Sequence, residues 1–137
     1  ARSCSKVIGL DSNVLVRYIM QDDTRQSPLA TRMVESLTAA SPGFVPLVAT
    51  VELAWVLSSA YELSRAQLIE AFEALLRTKE LVVERGETVW KGLRLLQRTG
   101  GDFADCLIAC SAATAGCAQT MTFDRGAAKH GGMTLIS

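Results

Sequence analysis

Apolar and polar positions alternate in short blocks along the chain. KVIGL is an apolar run that stops at Asp11-Ser12-Asn13, the pattern of a buried strand meeting a loop. VLVRYI continues as a short helix or turn. Ser27 with Pro28 reads as an N-cap followed by the first helical position. Ala30, Met33, Val34 and Leu37 then line one helical face. A break spans Ser41 to Gly43, and FVPLVA is strand-like, with Pro46 predicting an edge strand or a strand end. The pattern turns helical from Thr50 through about Tyr61. Ser64 and Gln67 make a capping box for the next helix, which buries Leu68, Phe72, Leu75 and Leu76. LVVE is a strand, and ETVWKGLRLLQR is a helix with Val89, Leu93 and Leu96 on one side. After the break at Gly100-Gly101, a helix starts near Asp102 and stops before Gly116. AQTMTF is a strand, RGAAKHGG a short helix or turn, and MTLI a last strand.

This order, β-α-α-β-α-α-β-α-α-β-α-β, predicts an α/β protein with a parallel sheet covered by helices on both faces. No repeat, linker or low-complexity segment interrupts it, so residues 1–137 are expected to form one domain, with residues 1–6 as an N-terminal extension. No apolar run approaches a membrane span, and ARSCSK lacks the apolar core of a secretory signal. The expected setting is the cytoplasm.

Composition adds little beyond a globular class, at 49% hydrophobic and 20% charged residues. The 14 basic residues balance the 14 acidic ones, which disfavours broad, nonspecific nucleic-acid binding and leaves room for a local basic rim. Cys4, Cys106, Cys110 and Cys117 accompany a single histidine, His130, too few ligands at zinc spacing. Reduced, mostly buried thiols are expected instead.

Four acids stand where charge is costly. Asp11 ends VIGLD, Asp124 ends TMTFD, Glu52 interrupts LVATVELAWVL, and Asp105 precedes CLIAC. Carboxylates at the margin of an apolar core need a cation, a basic partner or hydrogen bonds. Ligands of open α/β sheets bind beyond the carboxyl ends of the strands, where Asp11 and Asp124 fall. Glu52 and Asp105 lie early in helices that reach the same edge. At about 4 Å two like charges repel by about 4 kcal/mol at an effective dielectric near 20. An oxygen-only set therefore suits Mg²⁺ or Mn²⁺, which accepts phosphate oxygens and activates water. Taken singly, each acid also has a structural reading. Asp11 and Asp124 can cap turns, and Asp102 reads as an N-cap with Asp105 at the third helical position. Glu52, among Val51, Leu53, Ala54 and Trp55, has no such use.

LDSNVLVRYI, VELAWVL, DFADCLIA and TFDR, in this order and at these separations, resemble the PIN-domain ribonucleases, and among them the VapC-type toxins of bacterial toxin–antitoxin pairs. The resemblance runs from Val7 to about Ile136. It implies a three-layer α/β/α sandwich around a mainly parallel sheet. It implies Mg²⁺- or Mn²⁺-dependent RNA cleavage leaving 5′-phosphate and 3′-hydroxyl ends. Asp11, Glu52, Asp105 and Asp124 match its catalytic and metal-binding acids. Asp102 matches an extra acid, and Asn13 and Thr122 match positions that orient the carboxylates. Ser12 stands where these toxins often carry Thr and keeps the hydroxyl. A homodimer and an antitoxin partner are implied as well.

Arg17, Arg125 and Lys129 lie near these segments as candidate phosphate contacts or solvated surface charges. His130 reads as a surface histidine, with general-acid work as the alternative. Trp55 and Trp90 are expected in the core or at a subunit contact, and Phe44 and Phe103 likewise. Haloacid-dehalogenase phosphatases need an Asp where Asn13 stands, and a receiver domain needs an early acidic pair and a later Lys. The remaining alternative is a PIN-fold RNA- or protein-binding module without catalysis.

Overall fold

Strand β1 (Ile8–Gly9) runs straight into helix α1 (Ser12–Met20), and the same strand-to-helix step recurs along the chain in this computed structural model, which describes residues 6–137. Cys4 and most of the expected N-terminal extension lie outside the described residues. The order continues with α2 (Gln26–Glu35), β2 (Gly43–Val45), α3 (Leu47–Ser59), α4 (Arg65–Arg77) and β3 (Leu81–Val83). Then follow α5 (Gly86–Thr99), α6 (Phe103–Thr114), β4 (Met121–Thr122), α7 (Arg125–His130) and β5 (Thr134–Leu135). Every described strand pair is parallel, as the alternation predicts for an α/β/α fold. The pairing falls into a three-stranded group, β1-β2-β3, and a two-stranded group, β4-β5.

The core forms where the inward faces of α1, α3, α4, α5 and α6 meet β2. Leu15, Val45, Leu53, Leu57, Val89 and Cys106 are fully enclosed. Each large apolar side chain so buried contributes roughly 1.5–3 kcal/mol. Phe72 and Phe103 meet edge to face at 4.8 Å, which welds α4 to the start of α6. Helix α5 lies along α6, and Gly92 permits it: a Cβ there would stand 2.8 Å from Leu107 Cδ2. The expected break at Gly100 is real, since its φ of 74° ends α5 in a left-handed conformation.

Three boundaries differ from the sequence pattern. Ser27 is not an N-cap but lies inside α2, 2% exposed. Asp23 does the capping: its Oδ1 accepts from the Arg25 and Gln26 amides at 2.9 and 2.6 Å, while Ser27 Oγ accepts from the Asp23 amide. Pro28 has no amide hydrogen, so the bond that Ser27 makes back to the Asp23 carbonyl is not continued at the next position. Helix α3 begins at Leu47, before Thr50, because Glu84 beyond β3 accepts from the Leu47 amide at 2.7 Å. Pro46 therefore marks a strand end, and β2 is the central strand of its group rather than an edge.

The capping box of Ser64 and Gln67 forms as expected, and so does the Asp102 cap of α6. Leu76 is only half-buried, and Met33 is exposed. Trp55 is 63% exposed, which excludes the core position and leaves the subunit contact of the expectation. Helix α3 is apolar on nearly every side, so periodicity had no means of choosing which face turns inward. Trp90 packs against the core with the Arg77 and Arg94 guanidinium groups over its ring at 5.5 and 5.4 Å. Phe103 is buried and Phe44 half-buried.

Cys106, Cys110 and Cys117 are free thiols, but only Cys106 is buried. Burial pushes the Cys106 thiol up to about 11. A cysteine alkylating reagent at neutral pH should modify Cys117 and spare Cys106, read peptide by peptide in a mass spectrometer. Equal rates at the two would show that α6 opens readily.

Candidate active site

The acids form two groups, one at the end of β1 and one where the start of α6 meets the end of β4. Asp11 caps α1 immediately after β1 and accepts from the Ser12 amide at 2.7 Å. The Ser12 side chain is buried, and its hydroxyl donates to Glu52 Oε1 on α3. One serine thus ties the first acid to the helical glutamate across 40 residues of sequence. Both carboxylates remain exposed.

The second group comprises Asp102, Asp105 and Asp124. Asp102 Oδ1 accepts from the Asp105 amide at 3.1 Å, fixing the first turn of α6. Asp124 caps α7 by accepting from the Ala127 amide at 3.0 Å, and its own amide donates to Thr122 Oγ1 at 3.0 Å. The Asp105 carboxyl is held above its ordinary value, first by burial and then by the negative charges of Asp102 and Asp124. The last turn of α7 closes this side, since a Cβ at Gly131 would lie 3.1 Å from that of Asp105.

Helix α3, which carries Glu52, packs on α6, which carries Asp105. Glu52 and Ala104, the residue before Asp105, line one cavity of about 630 Å³ with Leu47, Val48, Val51 and Trp55. Its wall is largely apolar, and Val48 and Trp55 stand out to solvent at 80% and 63% exposure. Among the described residues, no three His, Cys, Asp or Glu side chains converge closely enough to hold an ion. The donor chemistry nevertheless fits a hard divalent cation. All the groups are carboxylates, and the like-charge pressure on Asp105 is what a cation relieves.

The basic candidates differ. Arg17 is engaged: it pairs with Asp22 at 3.1 Å and donates to Gln26 Oε1 and to the Tyr61 hydroxyl. The hydrogen bond from Tyr61, then that from Arg17, holds the Asp22 carboxyl below its ordinary value, while bonding to Asp22 raises Tyr61. This network joins α1, α2 and the end of α3, and no local signal in the sequence marks Asp22 as its centre. Arg125 and Lys129 are exposed on α7, and His130 is half-buried at its end. Asn13 is exposed on α1 and lines a separate cavity with Arg17 and Met33.

The PIN domain family profile matches residues 8–133. No curated protein matches the chain.

Proposed function

The chain belongs to the PIN domain family, whose members are generally nucleases that use divalent metals, and from that premise we propose that it is a metal-dependent endoribonuclease and the toxin of a toxin–antitoxin pair. The observation that carries the reading is the Ser12 bridge that holds Glu52 beside Asp11, in a chain that matches the PIN domain family over residues 8–133. Asp105, beside Asp102 and Asp124, carries like-charge pressure that a cation would relieve.

In this reading Asp11, Glu52, Asp105 and Asp124 hold one or two Mg²⁺ or Mn²⁺ ions. When bound, the metal supplies positive charge for the scissile phosphate and activates water. The chain's own residues do the positioning. Ser12 turns Glu52 toward Asp11 through its hydroxyl. Asp102 secures the turn that presents Asp105, and Thr122 secures the backbone of Asp124. Arg125 and Lys129 offer positive charge to flanking phosphates from α7. Arg17 serves chiefly to brace α1 through Asp22 and Tyr61.

The apolar surface around Val48, Trp55 and Ile108 supports a protein partner, read here as an antitoxin or a second copy. Among the described residues no helix is long and apolar enough to cross a membrane. A cytoplasmic toxin is consistent with that.

The purified protein with Mn²⁺ should cut single-stranded RNA to fragments carrying 5′-phosphates, and the same protein in excess chelator should cut none. Cleavage that persists in chelator would overturn the metal assignment. One observation favours a second reading, a binding module without catalysis: the acids form two groups rather than one tight ligand set. Tight Mn²⁺ binding without RNA turnover would select that module.

A further inference from the structure

A further cavity lies on the same edge of the three-stranded group. It holds about 290 Å³ and is lined by Leu47, Arg85, Thr88, Ser111, Thr114 and Ala115. Leu47 follows β2 and Arg85 follows β3, while Asp11 follows β1. With parallel strands about 4.8 Å apart in the order β1-β2-β3, the cavity stands on the order of 10 Å from Asp11 along the edge. Leu47 also lines the cavity that contains Glu52, so the two cavities adjoin.

Most of the lining is apolar, and the polar side chains set in it are potential donors. Arg85 is the N-cap of the 14-residue helix α5, and no side chain caps the amides of that helix's first turn. Arg85 adds a permanent positive charge, and Ser111 and Thr114 add hydroxyls from α6. Thr88 is the independent sign that something is meant to sit here. It is 4% exposed, yet its hydroxyl has no hydrogen-bond partner among the described residues. Buried polar groups are nearly always satisfied, so such a hydroxyl calls for a ligand. Two acids are close in sequence. Glu84 spends an oxygen on the Leu47 amide, and Glu87 is exposed on the first turn. Neither lines the cavity. Hydroxyls, helix amides and one guanidinium together recognise a phosphate oxyanion.

Resting on the nuclease reading, we propose that this cavity receives a phosphate of the RNA strand flanking the bond to be cut. The strand then crosses the sheet edge from the acids toward α5, past the apolar wall that Leu47 and Val48 provide. Arg85 and Thr88 are positioning residues for substrate.

The test measures binding of a short fluorescent single-stranded RNA with Mn²⁺ present. The protein carries Asp11→Asn so that the RNA is not consumed. Adding Arg85→Gln or Thr88→Val should weaken binding about tenfold. Arg85→Gln should also flatten the salt dependence by about 0.7 in logarithmic slope, one phosphate contact on a single strand. Thr88→Ser, which keeps the hydroxyl, should restore binding. Thermal melts confirm that the variants fold. Unchanged affinity in both variants overturns the proposal. Loss of inorganic phosphate binding with RNA binding intact overturns it too, because the cavity then serves a free anion. If the protein without Asp11→Asn cuts no RNA, yet RNA binding still depends on Arg85 and Thr88, the nuclease reading falls and the phosphate site stands.

Discussion

Asp124→Asn leaves the protein folded and lowers its RNA cleavage by at least about a hundredfold, the usual cost of removing one electrostatic contributor to a transition state. Asp11→Asn does the same. The choice of Asn matters because both acids cap helices, through the Ser12 amide and the Ala127 amide. Asn caps as well as Asp, so the amide substitution removes the charge and keeps the cap. Asp124→Ala removes both and should lose about 1 kcal/mol of stability besides its activity. Cleavage assays beside thermal melts on the three variants separate the two roles. Wild-type cleavage by highly purified Asp124→Asn protein would reduce the aspartate to a helix cap and sink its catalytic assignment.

Phe72→Ala should destabilise the fold by about 3–5 kcal/mol, the range for deleting a buried aromatic ring. That is a large share of the roughly 5–15 kcal/mol that holds a typical domain together. Phe72 is 1% exposed and packs edge-on against Phe103, the first residue of α6. Part of the loss is the aromatic pair itself, about 0.5–1.5 kcal/mol. Asp102 precedes Phe103 and Asp105 follows it by two positions, so the ring in α4 supports the turn that carries both acids. Urea unfolding checks the value: the midpoint should fall while the slope stays constant. A loss under about 1 kcal/mol would mean that the cavity collapses at little cost and that α6 is held by other contacts.

Much of this architecture is legible in the chain because the signals are local. Ser64 and Gln67 lie three residues apart and satisfy each other's backbone, so their capping box can be read directly. Asp102 and Gly100 mark the start of α6 and the end of α5 by equally local chemistry. Features set by tertiary partners are hidden. The start of α3 depends on Glu84, 37 residues away, which no window around Leu47 contains. Ser27-Pro28 imitates a helix start so well that the real cap, Asp23, goes unnoticed. The face of α3 that carries Trp55 looks as apolar as the face that is buried. In the candidate site, the four acids stand out because charge interrupts apolar runs. Ser12 is marked only by the resemblance, and its bridge to Glu52, like the Thr88 hydroxyl, stays hidden until the neighbours are known.

The acids that cap helices have one oxygen already committed. Asp11 and Asp124 each use Oδ1 for a backbone amide, and Glu52 uses Oε1 for Ser12. Among the described residues the other oxygen of each takes no hydrogen bond. An ion held by these acids, as proposed, would meet mainly single oxygens rather than two-pronged grips. Calcium, which gathers six to eight ligands and often takes carboxylates by both oxygens, is poorly served by such a set. In the metal-binding role proposed for these acids, a smaller six-coordinate ion that retains part of its hydration shell would be served better than calcium, a preference set by the way these helices begin.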